Sequence, residues 1–456
     1  MERFTPLELA TLITRWTISE GATEAEVYIK RVTGYRVVVR AGQAESLVTM
    51  DEAGVGIRVT VGKRVGFTYA SSLERAIVRE LAREVVKLAR SSPEDPYWES
   101  LPEPSTSYPE PQNIYNVELT RITSETLMEN VKELLSLAKE KNLVVAMAEI
   151  GVARIERAIV NSRGIYRMDI GSFAYTFIDV LRKESGVTTP AIVVADSSRV
   201  SMPNVEALVE RGAEITSLCL KRYKIDRPAP RTVVFAPEAI AELLNNTVFY
   251  SLRGDNVVRG RSYFAGKIGE QVLDPRITIV DDGVLKGGDN TWRFDGEGVA
   301  TTTKTLVDRG VLKGFVFDTY WGRRAGQDTT GNAVRTGYTS TPRPGFTNIV
   351  MTPGDLSPEE LLEGEVIVVY QVQGAHTTNS ETGEYSVLAN PAIAYRNGEP
   401  LGWVPGLMIA GNMYRELLEH VDGLSKQVVH VPVGIYLLWI RLSNIITTPK
   451  NMTTTF

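Results

Sequence analysis

The octapeptide Val280-Asp281-Asp282-Gly283-Val284-Leu285-Lys286-Gly287 recurs as Val307-Asp308-Arg309-Gly310-Val311-Leu312-Lys313-Gly314, with one position changed. Each copy sets an acidic residue and a glycine between two apolar runs, the pattern of a tight reversal between strands. Tyr395-Arg396-Asn397-Gly398 is a third such reversal. A segment that turns back this often does not fit a helical bundle. It predicts an antiparallel β domain, curled or barrel-like. The acids in these turns read as turn formers, not catalysts.

The residues ahead of this segment mix both kinds of element. Pro6 to Glu20 has helical apolar spacing, with Thr5 and Pro6 as N-cap and first helical residue. Val27–Ile29, Val37–Val39, Gly56–Val59 and Val65–Tyr69 read as short strands separated by glycine-bearing turns. A second helix spans 73–90, with Ala76, Ile77, Leu81, Val85, Val86 and Leu88 as its apolar positions. Four prolines in 101–112 mark a connector. A helix with Ser124 as N-cap runs to Lys141, and strands follow at Ala153–Val160 and Ile165–Arg182 around the turn Asn161–Gly164. This helix–strand–turn–strand order echoes the first 90 residues and suggests a weak duplication. After a helix over 204–222, the segment Lys224–Pro230 reads as a boundary. The expected fold class is α+β. Residues 1–222 form an N-terminal α+β domain with helices packed on antiparallel sheets, and 223–456 a β-rich, barrel-like C-terminal domain.

Composition narrows the function classes. The chain has 456 residues, is 43% hydrophobic and carries a formal charge of −5. A mild acidic balance does not favour nucleic acid, which usually meets a basic surface. One cysteine, Cys219, excludes an intrachain disulfide and a thiolate zinc cage; it reads as a buried small hydrophobe. Met1 to Pro6 shows no charged head followed by an apolar core. The apolar run Val428–Leu442, broken by Pro432, is too short for a membrane span. A cytoplasmic, soluble protein is expected.

Few residues suggest chemistry. The three histidines, His376, His420 and His430, are never at the spacing that sets two imidazoles on one helix face. His376, in a polar loop near Glu381 and Glu384, reads as a backbone-bonded histidine. Gly-x-Ser-x-Gly and a P-loop are absent, and Gly296-Glu297-Gly298 lacks the third glycine of a dinucleotide fingerprint. Asp295 and Glu297, two apart, would share a strand face, but no nucleophile or metal set accompanies them. The best positive candidate is the Gly-, Thr- and Arg-rich stretch Thr319–Thr347, expected to be a long loop. Within it, Arg323, Arg324, Thr330, Gly331, Asn332 and Arg335 are the candidate substrate-binding residues. Guanidinium forks suit carboxylates and peptide carbonyls, and exposed backbone could pair with an extended peptide.

Ala265 to Val272, Thr278 to Gly283, Phe294 to Val299, Leu306 to Gly314 and Thr330 to Arg335, in that order, resemble the TldD/PmbA family. Gly54 to Val59 and Asn161 to Gly164 fit the family's N-terminal pattern, while Gly434 to Phe456 departs from it. Its zinc peptidases carry His-Glu-x-x-x-His on a helix, with a late cysteine as a further ligand. Here Glu238 stands at the motif's acid, Pro237 and Glu242 stand at its histidines, and no cysteine follows Cys219. The resemblance therefore points to the TldE/PmbA branch. It implies no catalytic residue or metal ligand in this chain, zinc only on a TldD-like partner subunit, and action by the pair on unfolded or extended peptides. Two alternatives stay open. One is a homodimeric peptide-binding or regulatory protein of the kind linked to DNA gyrase; the other is a stand-alone hydrolase using Asp295, Glu297 or Glu238.

Overall fold

Long alternation of apolar and polar residues produces strands of unusual length in the first half of the chain. The structure is a computed structural model and describes residues 5–225 and 229–449. Met1–Phe4, part of the signal-peptide reading, and 226–228, inside the expected boundary, lie outside the described residues, as do 450–456. Helix α1 (Pro6–Ser19) starts from Thr5, whose side chain and Glu8 form a reciprocal capping box. Strands β1 (Glu24–Arg40), β2 (Gln43–Val61) and β3 (Arg64–Ala70) follow. The four short strands expected here are three, because Gly34 lies inside β1 and joins Val27–Ile29 to Val37–Val39 instead of turning the chain, and Gly54 lies inside β2. At Gly34 a Cβ would sit 2.0 Å from the Val152 carbonyl oxygen. The glycine is there for close backbone approach as the sheet curls.

Helix α2 (Arg75–Ser91) buries Val78, Ala82, Val85, Val86 and Ala89. Ile77 and Leu88, expected on its apolar face, are 42% and 45% exposed. Helix α3 (Ser124–Glu140) is capped by Thr123, which accepts from the Thr126 N–H; Ser124, the expected cap, is the first helical residue. Strands β4 (Leu143–Asn161) and β5 (Tyr166–Glu184) form the second long hairpin, then β6 (Val187–Thr188) and the edge strand β7 (Ile192–Ser198). Helix α4 (Val205–Leu218) starts from Asn204 and ends short of the expected residue 222. The seven strands form one antiparallel sheet, ordered β3-β2-β1-β4-β5-β6 with β7 on β5, curled into a half-barrel. The helix–hairpin order does occur twice, and β1 and β4 lie side by side at the centre.

The second half has β8 (Val233–Phe235), α5 (Pro237–Asn245) and two short helices, α6 (Val248–Ser251) and α7 (Gly254–Val258). Next come β9 (Ile279–Asp282), β10 (Thr303–Asp308), β11 (Val311–Leu312), α8 (Thr319–Arg324), and the two-stranded ribbon β12 (Ala333–Val334) with β13 (Arg343–Pro344). Then follow β14 (Ile349–Met351), α9 (Pro358–Leu361), β15 (Glu365–Val369), β16 (Val372–Gln373), β17 (Glu384–Ala389), β18 (Ala392–Arg396), β19 (Glu399–Trp403), β20 (Leu407–Asn412) and α10 (Met413–Glu419). The chain closes with β21 (Val421–Val431), β22 (Ile435–Leu442) and β23 (Ile446–Pro449).

The main sheet here has ten strands, ordered β11-β10-β9-β14-β22-β8-β15-β18-β19, with β21 on β22. It is mixed, not purely antiparallel: β14 pairs parallel with β22, and β8 with β15. Hairpins seen in sequence fix only neighbours joined by short turns; the parallel pairs come from distant segments. The second octapeptide is a tight hairpin, with Arg309 and Gly310 at φ 46° and 76°. The first is not. After Asp282 the chain leaves the sheet and returns at Thr303 to pair with it. Asn397 and Gly398, at φ 49° and 84°, make the third turn. The expected loop 319–347 contains α8, N-capped by Asp318, and the β12–β13 ribbon.

Among the described residues, two hydrophobic clusters join the two halves, and the larger includes both α3 and α4. Leu127, Val131 and Leu134 of α3 and Leu208 and Val209 of α4 pack with Val37 and Ile150 of the half-barrel. The same cluster holds Val234, Val366, Val368 and Ile393 of the ten-stranded sheet. Helices α3 and α4 thus lie between two sheets, and burial on both sides fixes their relative position. Among the described residues, no helix is long and apolar enough to cross a membrane. Gly34→Ala should lower unfolding stability by about 2–3 kcal/mol, since the added methyl meets backbone that cannot yield. Gly337→Ala, where a Cβ meets nothing within 4 Å, should leave the denaturation midpoint unchanged.

Candidate functional site

A cleft of about 920 Å³ opens between the half-barrel and the ten-stranded sheet. Helix α5 forms one wall. Ala239, Ile240, Leu243 and Leu244 turn into the core, so Glu238 and Glu242, four residues apart, are set on the cleft side. The opposite wall is strand β7, with Val193 and Ala195 lining the cleft, and Asp179 of β5 opposite Val193. The tip of the β21–β22 hairpin, Val431–Ile435, closes one end. Gln371 bridges the walls: the Val193 N–H donates to its Oε1 at 3.3 Å, and its Nε2 donates back to the Val193 carbonyl. A side-chain amide thus pairs with the strand edge as a backbone peptide would. Desolvation raises the Asp179 carboxyl above the usual range. Burial also raises Glu242, against a smaller opposing pull from the His376 charge.

This donor set does not fit zinc. Zn²⁺ in peptidase sites takes imidazole nitrogen with at most one or two carboxylates, whereas α5 offers two carboxylates and no imidazole. His376 is exposed, on the 3₁₀ turn Ala375–Thr377. Among the described residues, no group of three His, Cys, Asp or Glu side chains could hold a metal ion. Cys219 is fully buried, its thiol pushed up to about 12 by desolvation, and its Sγ bonds the Ile215 carbonyl.

Beside the cleft, His430 of β21 lies 3.3 Å from Asp196 of β7 and 3.0 Å from Asp289. Ser197 is adjacent, but its hydroxyl donates to Asp289 at 2.6 Å, and both imidazole nitrogens face carboxylates. No nitrogen is left to take a serine proton, so this is a latch and not a hydrolytic triad. Asp289 also accepts the Val433 and Gly434 N–H groups, which holds the hairpin tip against the half-barrel. Burial works against the imidazolium, but the two carboxylates prevail and raise His430 to about 9. Burial likewise opposes the Asp289 charge, yet its partners keep its carboxyl below the usual range.

The sequence candidates lie elsewhere, and none of the six lines the cleft. The Arg335 side chain is buried. It donates to the Gly296 and Ser340 carbonyls at 2.7 and 3.0 Å and to Glu26 of β1. Arg58 of β2 donates to Glu26 at 2.7 Å and to Glu297 at 2.8 Å, and the second Glu297 oxygen accepts the Thr319 N–H. Asn332, also fully buried, donates to Asp281 at 2.7 Å and to the Gly345 carbonyl; Thr330 bonds the Asn332 oxygen. Gly331, at φ 70°, lies where a Cβ would stand 2.4 Å from the Ala300 oxygen. Arg323 grips Ser100, and Arg324 stacks on Tyr97 and Trp321 at 4.0 and 4.7 Å. Asp281, read in sequence as a turn former, is instead fully buried, accepts from Asn332 and Thr347 and forms an ion pair with Lys304.

Asp295 and Glu297 do approach each other, inside the same buried network. Burial, then the Glu297 charge, raises Asp295 to about 7, while it accepts the Glu297, Val299 and Ala333 N–H groups. Burial opposes the charge on Glu297 too, but Arg58 holds it below the usual range. Neither lines the cleft. Sequence reasoning missed Asn245, Gln371 and Val433 as cleft residues. Glu242 was visible only as a replaced histidine, and Gln371 had no local signal, because its partner Val193 is far away in the chain.

His430→Gln should reveal the latch through pH. The His430 pairing stabilises the folded chain fully below about pH 6.5 and is lost as pH rises through 9. The stability gap between wild type and variant should therefore be on the order of 2–3 kcal/mol near pH 6 and vanish well above pH 9. Arg58→Met leaves Glu297 without a cationic partner and Glu26 with Arg335 alone, and should cost about 3–5 kcal/mol in denaturant titration.

The comparisons with known proteins agree with this architecture. The PmbA/TldA metallopeptidase C-terminal domain matches residues 229–449, and PmbA/TldA metallopeptidase domain 1 matches 25–89. An uncharacterised Methanocaldococcus jannaschii protein is 29% identical over 402 residues, 87% of this chain and 91% of its own length. The metalloprotease TldD homolog of Haemophilus influenzae is 24% identical over 380 residues, 79% and 77% of the two chains. The crystal structure of TldE from Thermococcus kodakarensis superposes with a TM-score of 0.90 at 29% identity, covering 96% of this chain and 100% of that one. A Thermotoga maritima structure named as a modulator of a DNA gyrase shares the fold at TM-score 0.85 and 22% identity, covering 97% and 100%. With a half-barrel, a mixed second sheet and an α5 helix that lacks the zinc motif, the chain belongs to the PmbA/TldD family, among its TldE-like members.

Proposed function

We propose that this chain is the non-hydrolytic, substrate-accommodating subunit of a PmbA/TldD-type metallopeptidase that acts on unfolded or extended peptides. The observation that carries the reading is the cleft at α5. It is open, about 920 Å³ in volume, and walled by a strand edge, yet its helix presents Glu238 and Glu242 instead of a zinc-binding donor set. Such a wall suits an extended main chain, whose amide groups repeat regardless of sequence. The zinc and its hydrolysis then belong to a TldD-like partner subunit. A single buried cysteine suits the reducing cytoplasm, where the proposal places the pair. The gyrase wording belongs to the Thermotoga maritima protein; at 22% identity that likeness supports the fold alone.

The test separates the two subunits. The purified chain alone should hold no stoichiometric zinc and should not cleave an unfolded protein substrate; adding a TldD-like subunit should restore cleavage. Stoichiometric zinc with turnover by the lone chain would overturn the proposal. A fluorescent extended peptide should bind the chain, and Glu242→Lys or Gln371→Ala should weaken that binding about tenfold or more, read by anisotropy. Unchanged affinity in both variants would remove the cleft from the account.

A further inference from the structure

One residue at the end of the cleft holds a conformation that its type avoids. Val433, in the turn between β21 and β22, has φ 75°. A β-branched side chain is strained there. Among the described residues, eight non-glycine residues have positive φ; four are asparagine, and Val433 alone is β-branched. Glycine, asparagine or aspartate would make this turn without the strain, so the valine lowers the stability of the fold. The structure nevertheless fixes it from both sides. Asp289 accepts the Val433 N–H at 2.9 Å, and the Asn290 amide donates to the Val433 carbonyl at 2.8 Å. The same Asp289 oxygen is bonded by His430 at 3.0 Å, which anchors it.

A valine kept for packing would be buried, but Val433 is 68% exposed and lines the cleft. Strain that the surrounding structure enforces gathers where ligands are held. The neighbours set the chemistry of the ligand. Val431, Pro432 and Ile435 of the same hairpin line the cleft, as do Phe346 and Ile349, and Ile349 pairs with Ile435. Asn290 lines this end too, but its amide is spent on the Thr347 and Val433 carbonyls. Glu238 and Glu242 stand apart, on α5. We infer that Val433 is a specificity-determining contact, which meets an aliphatic or aromatic side chain of the extended peptide, so that the cleft prefers peptides carrying one. Asparagine or glycine would turn the chain equally well but would offer no branched apolar surface. The inference deepens the proposed peptide-binding role and rests on it.

A peptide series tests it. A fluorescent Gly/Ser peptide with one central leucine is compared, by anisotropy, with versions bearing serine or aspartate at that position. The wild type should bind the leucine peptide about tenfold tighter than the other two, as burial of one aliphatic side chain predicts. Val433→Asn keeps the left-handed turn and removes the apolar contact. It should reduce the preference to about twofold or less. It should also raise the denaturation midpoint by about 1–2 °C, because asparagine tolerates this φ. Val433→Leu should keep the preference, and Glu242→Lys should weaken all three peptides alike. Equal affinity of the wild type for the three peptides, or an undiminished preference in Val433→Asn, would overturn the contact while leaving peptide binding in place. A Val433→Asn chain that loses affinity for all three equally, or melts lower than the wild type, would make the valine structural and overturn it too. If no peptide binds the wild type, the proposed function fails first, and this contact with it.

Discussion

The buried pairing of Arg58 and Arg335 with Glu26 and Glu297 ties the half-barrel to the second half of the chain. Glu26 and Arg58 come from β1 and β2; Glu297 and Arg335 come from either side of α8. Two cations meet two anions with almost no water. Such pairs add little net stability but penalise every arrangement that separates them. Asp295 and Asp318 lie beside a network already balanced in charge. Burial first, and then the Glu297 charge, raises them to about 7 and about 8. The junction has room for two carboxylates as anions and disfavours more.

The cleft follows from this junction. Its walls belong to different sheets, β7 on one side and α5 with the β21–β22 tip on the other, so its shape depends on how the sheets are held. Among the contacts that hold them are the arginine–glutamate network, the His430 latch and the apolar layer of α3 and α4. Each draws residues from both halves of the chain. One core cluster draws residues from both sides of residue 222.

The segment Thr330–Arg335 shows why function was hard to place from sequence. Its glycine, asparagine and arginine looked like an accessible grip for peptides, since those residue types do that work when exposed. Here Asn332 and Arg335 are spent on Asp281, Glu26 and backbone carbonyls. In the fold these side chains bond other parts of the same chain. Glu238 and Glu242 make the opposite case. Their spacing on a helix was visible, and so was the loss of both motif histidines, because helix periodicity is local and residue identity needs no fold. That Gln371 and the β7 edge stand across from them was invisible, since Val193 and Gln371 meet only through the packing of two sheets.

By itself the sequence determined the α+β class, the capping of α1, the hairpins at Arg309-Gly310 and Asn397-Gly398, and the absence of a zinc-binding pair on α5. All of these depend on neighbours within a few residues, where propensity, turn geometry and side-chain chemistry act directly. Only the tertiary structure decided that Gly34 and Gly54 curl strands instead of ending them, that the second sheet is mixed, that Asp281 is buried, and where the cleft opens. Those outcomes depend on contacts between residues far apart in the chain, and no local pattern encodes which distant surface arrives.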